Sequence, residues 1–151
     1  MPMDALIDAD VIIENLTRRG DELPDKLQKL VTEVSMIVQG NIQDAAPVRT
    51  GNLQSSIRRE NLGMFSARVF PDEGIAPYAI YVMSGTNPHI IEAKNKKYLF
   101  WPGADHPVKR VWHPGTYPNP FFSYGLEASS GDIDAEVELF TNWLTGGSND
   151  Y

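Results

Sequence analysis

The side chains that most often do chemistry are sparse in this sequence, which contains three histidines and no cysteine. A metal site made by His106, His113 and Asp105 is the first chemistry to consider, but these residues lack the close helical spacing of zinc motifs. The third histidine, His89, belongs to no zinc hydrolase or deaminase motif. Nothing in the sequence nominates a general base for Ser84, and no phosphate-binding glycine loop is present. We therefore expect no enzyme and no cofactor.

Basic and aromatic residues are interleaved in the second half of the chain. Residues 94–110 contain five bases, which are Lys94, Lys96, Lys97, Lys109 and Arg110. Together with Tyr98, Phe100 and Trp112 they give a mixture that can bind single-stranded nucleic acid, although half-buried sheets with a charged rim show the same pattern. Residues 126–151 contain six acids and no Lys or Arg. Solvated faces explain both clusters, and a sharper hypothesis is that the acidic C-terminal helix of one subunit meets the basic sheet edge of another.

The bulk composition is that of a folded, acidic protein. The chain has 151 residues, of which 42% are hydrophobic and 22% charged, and its formal net charge is −7. These values predict a single domain over residues 1–151, with residues 1–20 as a helical extension and residues 148–151 as a flexible tail. A broad basic footprint for nucleic acid is absent. No signal-peptide pattern occurs, and no apolar run approaches the ~20 residues that span a bilayer, so we expect no membrane partner.

Helical periodicity occurs at both ends of the chain. Helices are predicted over residues 4–18, 24–45, 53–57 and 120–145. Gly20 and Asp21 are expected to separate the first two helices, because Pro24 suits the first turn of a new helix. Gly51 permits a positive φ before the short third helix. The last helix is expected to begin at an Asn119 cap, to bend near Gly131 and to end at the glycines 146 and 147.

Alternating patterns predict strands between these helices. The strands are expected over residues 57–61, 65–70, 89–92, 97–101 and 108–112. The first two would form a hairpin, and residues 93–96 would form the turn between the third and the fourth. Residues 76–86 are predicted to be a short core segment, helix or strand, that buries the rings of Tyr78 and Tyr81 and ends at Gly85. The fold class is therefore α+β: N-terminal amphipathic helices, a small and mostly antiparallel β-sheet, and a long C-terminal helix packed on it.

Three short motifs, in this order, resemble the neck or tail-completion proteins of tailed phages, which are encoded among the head–tail joining genes of long-tailed phages. The first motif contains Ala46, Pro47, Thr50, Gly51, Leu53, Ser56 and Ile57. The second contains Tyr78, Ala79, Tyr81, Val82, Gly85 and Thr86. The third contains His113, Pro114, Gly115, Thr116, Asn119, Pro120 and Phe121. The resemblance covers roughly residues 24–145 and departs from the family pattern at Arg49 and Met83.

This resemblance implies a structural virion protein with no enzymatic activity. Such proteins form a ring of identical subunits between the head-closure or connector complex and the tail tube, and genomic DNA passes through the channel. The resemblance implies a hexamer as the first choice of ring and a dodecamer as the second. It also implies neighbours among the connector, tail terminator and tail tube proteins. The expected location is the neck of the virion, after assembly in the host cytoplasm. The residues alone leave two alternatives, a nucleic-acid-binding accessory protein and a metal-dependent hydrolase.

Overall fold

One long helix organises the protein, for which a computed structural model describes residues 9–146. This helix, α1, spans Ala9–Ala45. The predicted start of the first helix at residue 4 and the predicted tail at residues 148–151 lie outside the described residues. The predicted break at Gly20 and Asp21 is wrong, because α1 is continuous through both residues and contains Pro24 in its interior.

The remaining elements follow α1 in a simple order. They are α2 (Asn52–Ser56), β1 (Ile57–Gly63), β2 (Ser66–Pro71), α3 (Ala79–Ser84), β3 (His89–Glu92), β4 (Arg110–His113), α4 (Phe121–Ala128) and α5 (Ser130–Thr145). The strands form two separate two-stranded antiparallel sheets, β1 with β2 and β3 with β4. The α+β class is confirmed. The C-terminal helices α4 and α5 pack mainly on α1, which also carries the first sheet.

Contacts with α5 explain why α1 continues where its local sequence predicts a break. An interior proline costs a helix about 3 kcal/mol and a glycine about 1 kcal/mol. Arg19 lies before Pro24, is buried, and donates from Nη1 to the Leu144 carbonyl at 2.6 Å. Lys26 lies after Pro24, and its Nζ is 5.7 Å from the centroid of the buried Trp143 ring. Tertiary packing on both sides of the proline therefore overrides local propensity.

The Arg19 contact predicts a specific loss of stability. Its guanidinium sits at the C-terminal end of α5, where the helix dipole and the unpaired carbonyls favour a cation. We expect Arg19→Met to lower the free energy of unfolding by about 1.5–3 kcal/mol, the range for a hydrogen bond to a charged group. Urea denaturation followed by circular dichroism measures this change. Gln28→Met is the control, because Gln28 is exposed on the same helix, and a similar loss in both variants would contradict the assignment.

The first hairpin is confirmed, and its turn lies slightly later than predicted. β1 and β2 pair from Ile57 with Pro71 to Gly63 with Ser66, with an irregularity between Asn61 and Gly63. Phe65, which was predicted to begin the second strand, lies in the turn because this irregularity extends β1 by two residues. Hydrogen bonds join the first residue of the hairpin to α1. The Gln39 and Gln43 amides both donate to the Ile57 carbonyl, at 3.0 and 3.2 Å.

The second hairpin differs from its prediction. β3 pairs with β4, from His89 with His113 to Glu92 with Arg110, whereas residues 97–101 form no strand. The reason lies at the base of the hairpin, where Thr86 and Thr116 exchange backbone hydrogen bonds of 3.0 and 3.1 Å and set the register. Within the connection between β3 and β4, Leu99 and Val108 form an isolated antiparallel bridge. We call residues 89–113 the arm.

The C-terminal helices bend where a serine is buried. α4 and α5 meet at Ser129, two residues before the predicted bend at Gly131, and the Ser129 hydroxyl donates to the Gly125 carbonyl at 2.7 Å. The predicted Asn119 cap is wrong. Pro120 occupies the cap position, because Asn119 lies in a tight turn before the helix, where its N–H donates to the Val82 carbonyl at 2.9 Å and its carbonyl accepts from the Phe121 N–H at 2.8 Å. The end of α5 is as predicted, at Gly146 with a φ of 97°.

The core lies at the C-terminal end of α1. Its buried residues are Ile42, Ala46, Leu53, Ile57, Ala76, Ala79 and Phe121. They come from α1, α2, β1, the α3 region and the start of α4, so this one cluster joins both ends of the chain. In the described part of the chain, no helix has the length and apolarity to cross a bilayer.

Candidate functional site

The three sequence motifs meet at one surface. A cleft of about 1010 Å³ is lined by residues of all three, and we call it the motif cleft. Its motif residues are Pro47 from the first, Tyr78, Tyr81, Val82, Gly85 and Thr86 from the second, and His113, Thr116 and Asn119 from the third. An adjoining depression is lined by Thr50, Gly51 and Leu53 and shares Pro47, Tyr78 and Val82 with the cleft. Residues far apart in sequence therefore form one continuous surface.

A junction of two glycines and two threonines closes one side of the cleft. Gly85 has a φ of 70° and Gly115 a φ of 86°, the left-handed region that favours glycine. Between them, the hydroxyls of Thr86 and Thr116 are 3.1 Å apart, beside the paired backbone hydrogen bonds of the same residues. A Cβ atom on Gly85 would lie 2.5 Å from the Thr116 carbonyl oxygen. The glycines are therefore required by close backbone approach, and they position α3 against the third motif.

The remaining motif residues support this surface from behind. Phe121 is fully buried and Leu53 nearly so, and both belong to the core. Val82 packs against that core from the side. Gly51 precedes α2 with a φ of 80°, as predicted, and occupies the N-cap position itself, while the Thr50 hydroxyl accepts from the Asn52 N–H at 3.5 Å. Pro114 is exposed, and Pro120 stands at the start of α4.

The tyrosines of α3 face solvent rather than the core. Tyr81 is 59% exposed and Tyr78 is 40% exposed, so the predicted burial of both rings is wrong. The reason is that α3 is a short helix that buries Ala79, next to the buried Ala76 before the helix, and this leaves the aromatic side chains facing outward. Tyr117 is 97% exposed and also lines the cleft, and no motif singled it out. Exposed tyrosines around a concave surface are typical of protein interfaces.

The histidines and Asp105 do not form the metal site considered from the sequence. His113 lies in the cleft with its ring centroid 5.2 Å from that of His89. Its Nδ1 accepts a hydrogen bond from the Gly115 N–H at 3.1 Å. His106 and Asp105 are exposed in the connection between β3 and β4. Within residues 9–146, no group of three His, Asp or Glu residues could hold a metal ion.

The five bases of residues 94–110 are all exposed on the arm. Arg110 is the cross-strand partner of Glu92, and the Lys109 carbonyl accepts from the Ala93 N–H at 3.1 Å, so both ends of the basic cluster come together. None of the five forms a salt bridge with another described residue. Exposed aromatic side chains accompany them, including Phe100 and Trp112 at 68% and 62% exposure. The arm is therefore a projecting ribbon that is both basic and aromatic.

Comparison with protein families decides the identity of the chain. The model of a family described as "Bacteriophage HK97-gp10, putative tail-component" matches residues 10–85. The chain belongs to this family. It is a structural tail component of a bacteriophage, and the resemblance to neck and tail-completion proteins is confirmed. Comparison with curated proteins and with solved structures gives no significant match.

The residues matched by the family model include the first and nearly all of the second of the three motifs that line the motif cleft. In this tail component the matched segment contains α1 from residue 10 onward, the β1–β2 hairpin and α3, and hence the first motif and the second motif as far as Gly85. It begins at residue 10, so it includes the first half of α1, which the resemblance did not cover. The third motif lies beyond the match, and the structure brings it to the other two through the glycine–threonine junction. Membership in a family of structural components favours a non-enzymatic role in the virion.

Proposed function

We propose that the chain forms a ring in the neck of the virion, between the head-closure or connector complex and the tail tube. Family membership supports a structural tail role, and the separation of charge on the molecule supports self-assembly. All five bases of residues 94–110 lie on the arm, whereas Asp132, Asp134, Glu136 and Glu138 lie on α5. A ring needs two different, complementary faces on every subunit. A basic arm and an acidic helix supply such a pair. A hexamer is our first choice and a dodecamer the second, assembled in the host cytoplasm as a single-domain subunit.

The acidic character of the protein suits a channel through which DNA moves. The formal net charge of −7 leaves no excess of cations to hold phosphates. Binding of DNA grows stronger with each phosphate that Lys or Arg neutralises, so a wall with few free cations lets the duplex slide. In the proposed ring the basic arm is engaged at the subunit interface, which removes the largest basic cluster from the lumen.

The motif cleft is the surface that we assign to a neighbouring neck protein. It combines the exposed rings of Tyr78, Tyr81 and Tyr117 with a rigid wall formed at Gly85 and Gly115. Aromatic side chains on a preorganised concave surface are the residues that most often dominate interface affinity. The partner in this proposal is a connector, tail terminator or tail tube subunit.

Electron microscopy of native particles tests this function. We expect density for this chain at the head–tail junction, arranged as a closed ring. Particles made without the chain should contain separate filled heads and tails, because the joint between them is missing. A chain found elsewhere in the particle, or absent from it while heads and tails still join, would refute the proposal. A monomer in dilute solution is expected if the ring forms only on its neighbour.

A second function, nucleic-acid binding by an accessory protein, is favoured by one observation on the arm. Lys97 Nζ lies 5.9 Å from the centroid of the Tyr98 ring, so cation and aromatic ring share one surface. This function requires affinity for single-stranded DNA that falls with salt and is lost when Lys94, Lys96, Lys97 and Arg110 are replaced by Gln. Binding that is independent of salt would exclude it. No arrangement of described residues favours the metal-dependent hydrolase.

A further inference from the structure

We propose that the arm of one copy docks in an apolar groove of the next copy. This inference rests on the proposed ring and names the two surfaces that would close it. The groove has a volume of about 610 Å³ and runs between β2 and α5 above α1. Val31 and Val34 of α1, Ala67 and Val69 of β2, and Ile133 and Val137 of α5 line it.

The groove combines an apolar floor with an acidic edge. Its lining is almost entirely aliphatic or aromatic, which is unfavourable for a surface left in water. On α5, Asp134 follows Ile133, and Glu138 follows Val137, so both acids lie on the flank next to the residues that face the groove. Asp134 and Glu138 are one helical turn apart, and both are exposed. An occupant of this groove should therefore be apolar with basic side chains beside the apolar part.

The arm has this combination. Ile90 and Trp112 are cross-strand partners, so their side chains lie side by side on one face of the ribbon. Both are more than half exposed. Arg110 is two residues from Trp112 and therefore lies on the same face, next to this apolar pair. Lys94 and Lys96 follow at the same end of the ribbon. The charges on the arm and on the edge of the groove are opposite, which favours docking and sets its orientation.

The two surfaces are separate on a single copy. None of the described residues that line the groove belongs to the arm. A heterologous interface requires this arrangement, because each subunit must offer its arm to one neighbour and its groove to the other. A second copy is thus the occupant that the charges and the geometry favour. Nucleic acid would be repelled by Asp134 and Glu138 and could use only the arm.

Engineered cysteines test the contact directly, because the natural chain contains no cysteine. We expect Trp112→Cys combined with Val137→Cys to give covalent multimers in oxidised virions, up to a closed ring. Leu139→Cys replaces Val137→Cys in the matched control. Leu139 is exposed on the same helix. It lies two residues after Val137, so its side chain points away from the groove, and only dimers at background level are expected. Chains that are present in the neck but do not cross-link would overturn the docking alone. A chain absent from the neck would overturn the proposed function and the docking with it.

Charge reversal gives an independent test, because rescue by complementary reversals distinguishes a lost charge pairing from general damage to the surface. Lys94→Glu, Lys96→Glu and Arg110→Glu together should lower incorporation into particles about tenfold, and Asp134→Lys with Glu138→Lys should do the same. All five changes in one chain should restore incorporation, and so should a mixture of the two variants, since alternating subunits regain opposite charges. Glu73→Lys with Glu127→Lys, on exposed residues outside the groove, is the control that should have no effect. Failure of both rescues in folded variants would overturn the inference. So would an arm reversal that abolishes binding to single-stranded DNA and leaves incorporation unchanged.

Discussion

Gly125→Ala is expected to lower the free energy of unfolding by about 2–3 kcal/mol, although alanine is the better helix former. Gly125 is the point at which α4 lies directly on α1. A Cβ atom there would lie 2.7 Å from the Ile42 nitrogen and 2.8 Å from the Asn41 carbonyl oxygen. Both atoms belong to the backbone of α1, so no change of rotamer can make room. The helices must move apart, and the packing of Phe121 against Ile42 in the core loosens with them.

Gly40→Ala is the matched control for this prediction. Gly40 is also a helical glycine, and a Cβ atom there would meet nothing within 4 Å. Without a steric penalty, the gain in helix propensity should raise the free energy of unfolding by up to about 1 kcal/mol. Denaturant unfolding of the full chain, followed by circular dichroism, measures both changes. Equal stability of the two variants would show that the backbones of α1 and α4 do not approach closely at Gly125.

Gly85→Val is expected to lower the free energy of unfolding by about 2–5 kcal/mol, from left-handed strain of about 1–2 kcal/mol and steric overlap of about 1–3 kcal/mol. The φ of Gly85 is 70°, which a β-branched residue adopts only with strain. A Cβ atom there would also lie 2.5 Å from the Thr116 carbonyl oxygen and 2.9 Å from the Pro118 nitrogen. The variant should therefore separate α3 from the third motif and lose the wall of the motif cleft. Particle assembly should fail even where the chain remains folded.

Gly103→Val separates the two causes of this loss. Gly103 has a positive φ of 94°, but a Cβ atom there would meet nothing within 4 Å. Only the backbone strain of about 1–2 kcal/mol should remain. Thermal unfolding of both variants gives the comparison, and particle yield after complementation gives the functional result. Particles at the natural level with Gly85→Val would refute the role assigned to the junction.

The junction at Gly85 has one feature that the local sequence predicts and one that it does not. Glycine at position 85 predicts a turn with positive φ from residue type alone, and the structure has it. The same holds for Gly51 before α2, and the predicted end of the last helix at Gly146 is also observed. These predictions succeed because a positive φ is a local property that other residues rarely adopt. The backbone that faces Gly85, by contrast, belongs to Thr116 and Pro118, and the residue pattern around Gly85 does not identify them as its neighbours.

Predictions fail in this chain where distant contacts outweigh local preference. Pro24 favours the start of a helix, yet α1 passes through it because Arg19 and Lys26 are held by α5 on both sides of the proline. The partner of β3 was predicted from a nearby turn, yet the Thr86–Thr116 pair at the far end sets the register. Tyr81 looks like a core residue by type, yet the small alanines near it are the residues that are buried.

The local residue pattern is enough for the α+β class, the first hairpin, the glycine turns and the three ordered motifs that indicate a phage tail component. Each of these depends on φ preferences or on hydrophobic periodicity within a few residues. Long-range packing sets the unbroken α1, the projecting arm and the meeting of the motifs in one cleft. These features depend on contacts between residues that are far apart in the chain, such as the hydrogen bond from Asn119 to Val82. Such contacts stabilise the protein only after the chain has folded and brought the two residues together, so a short stretch of sequence cannot predict them.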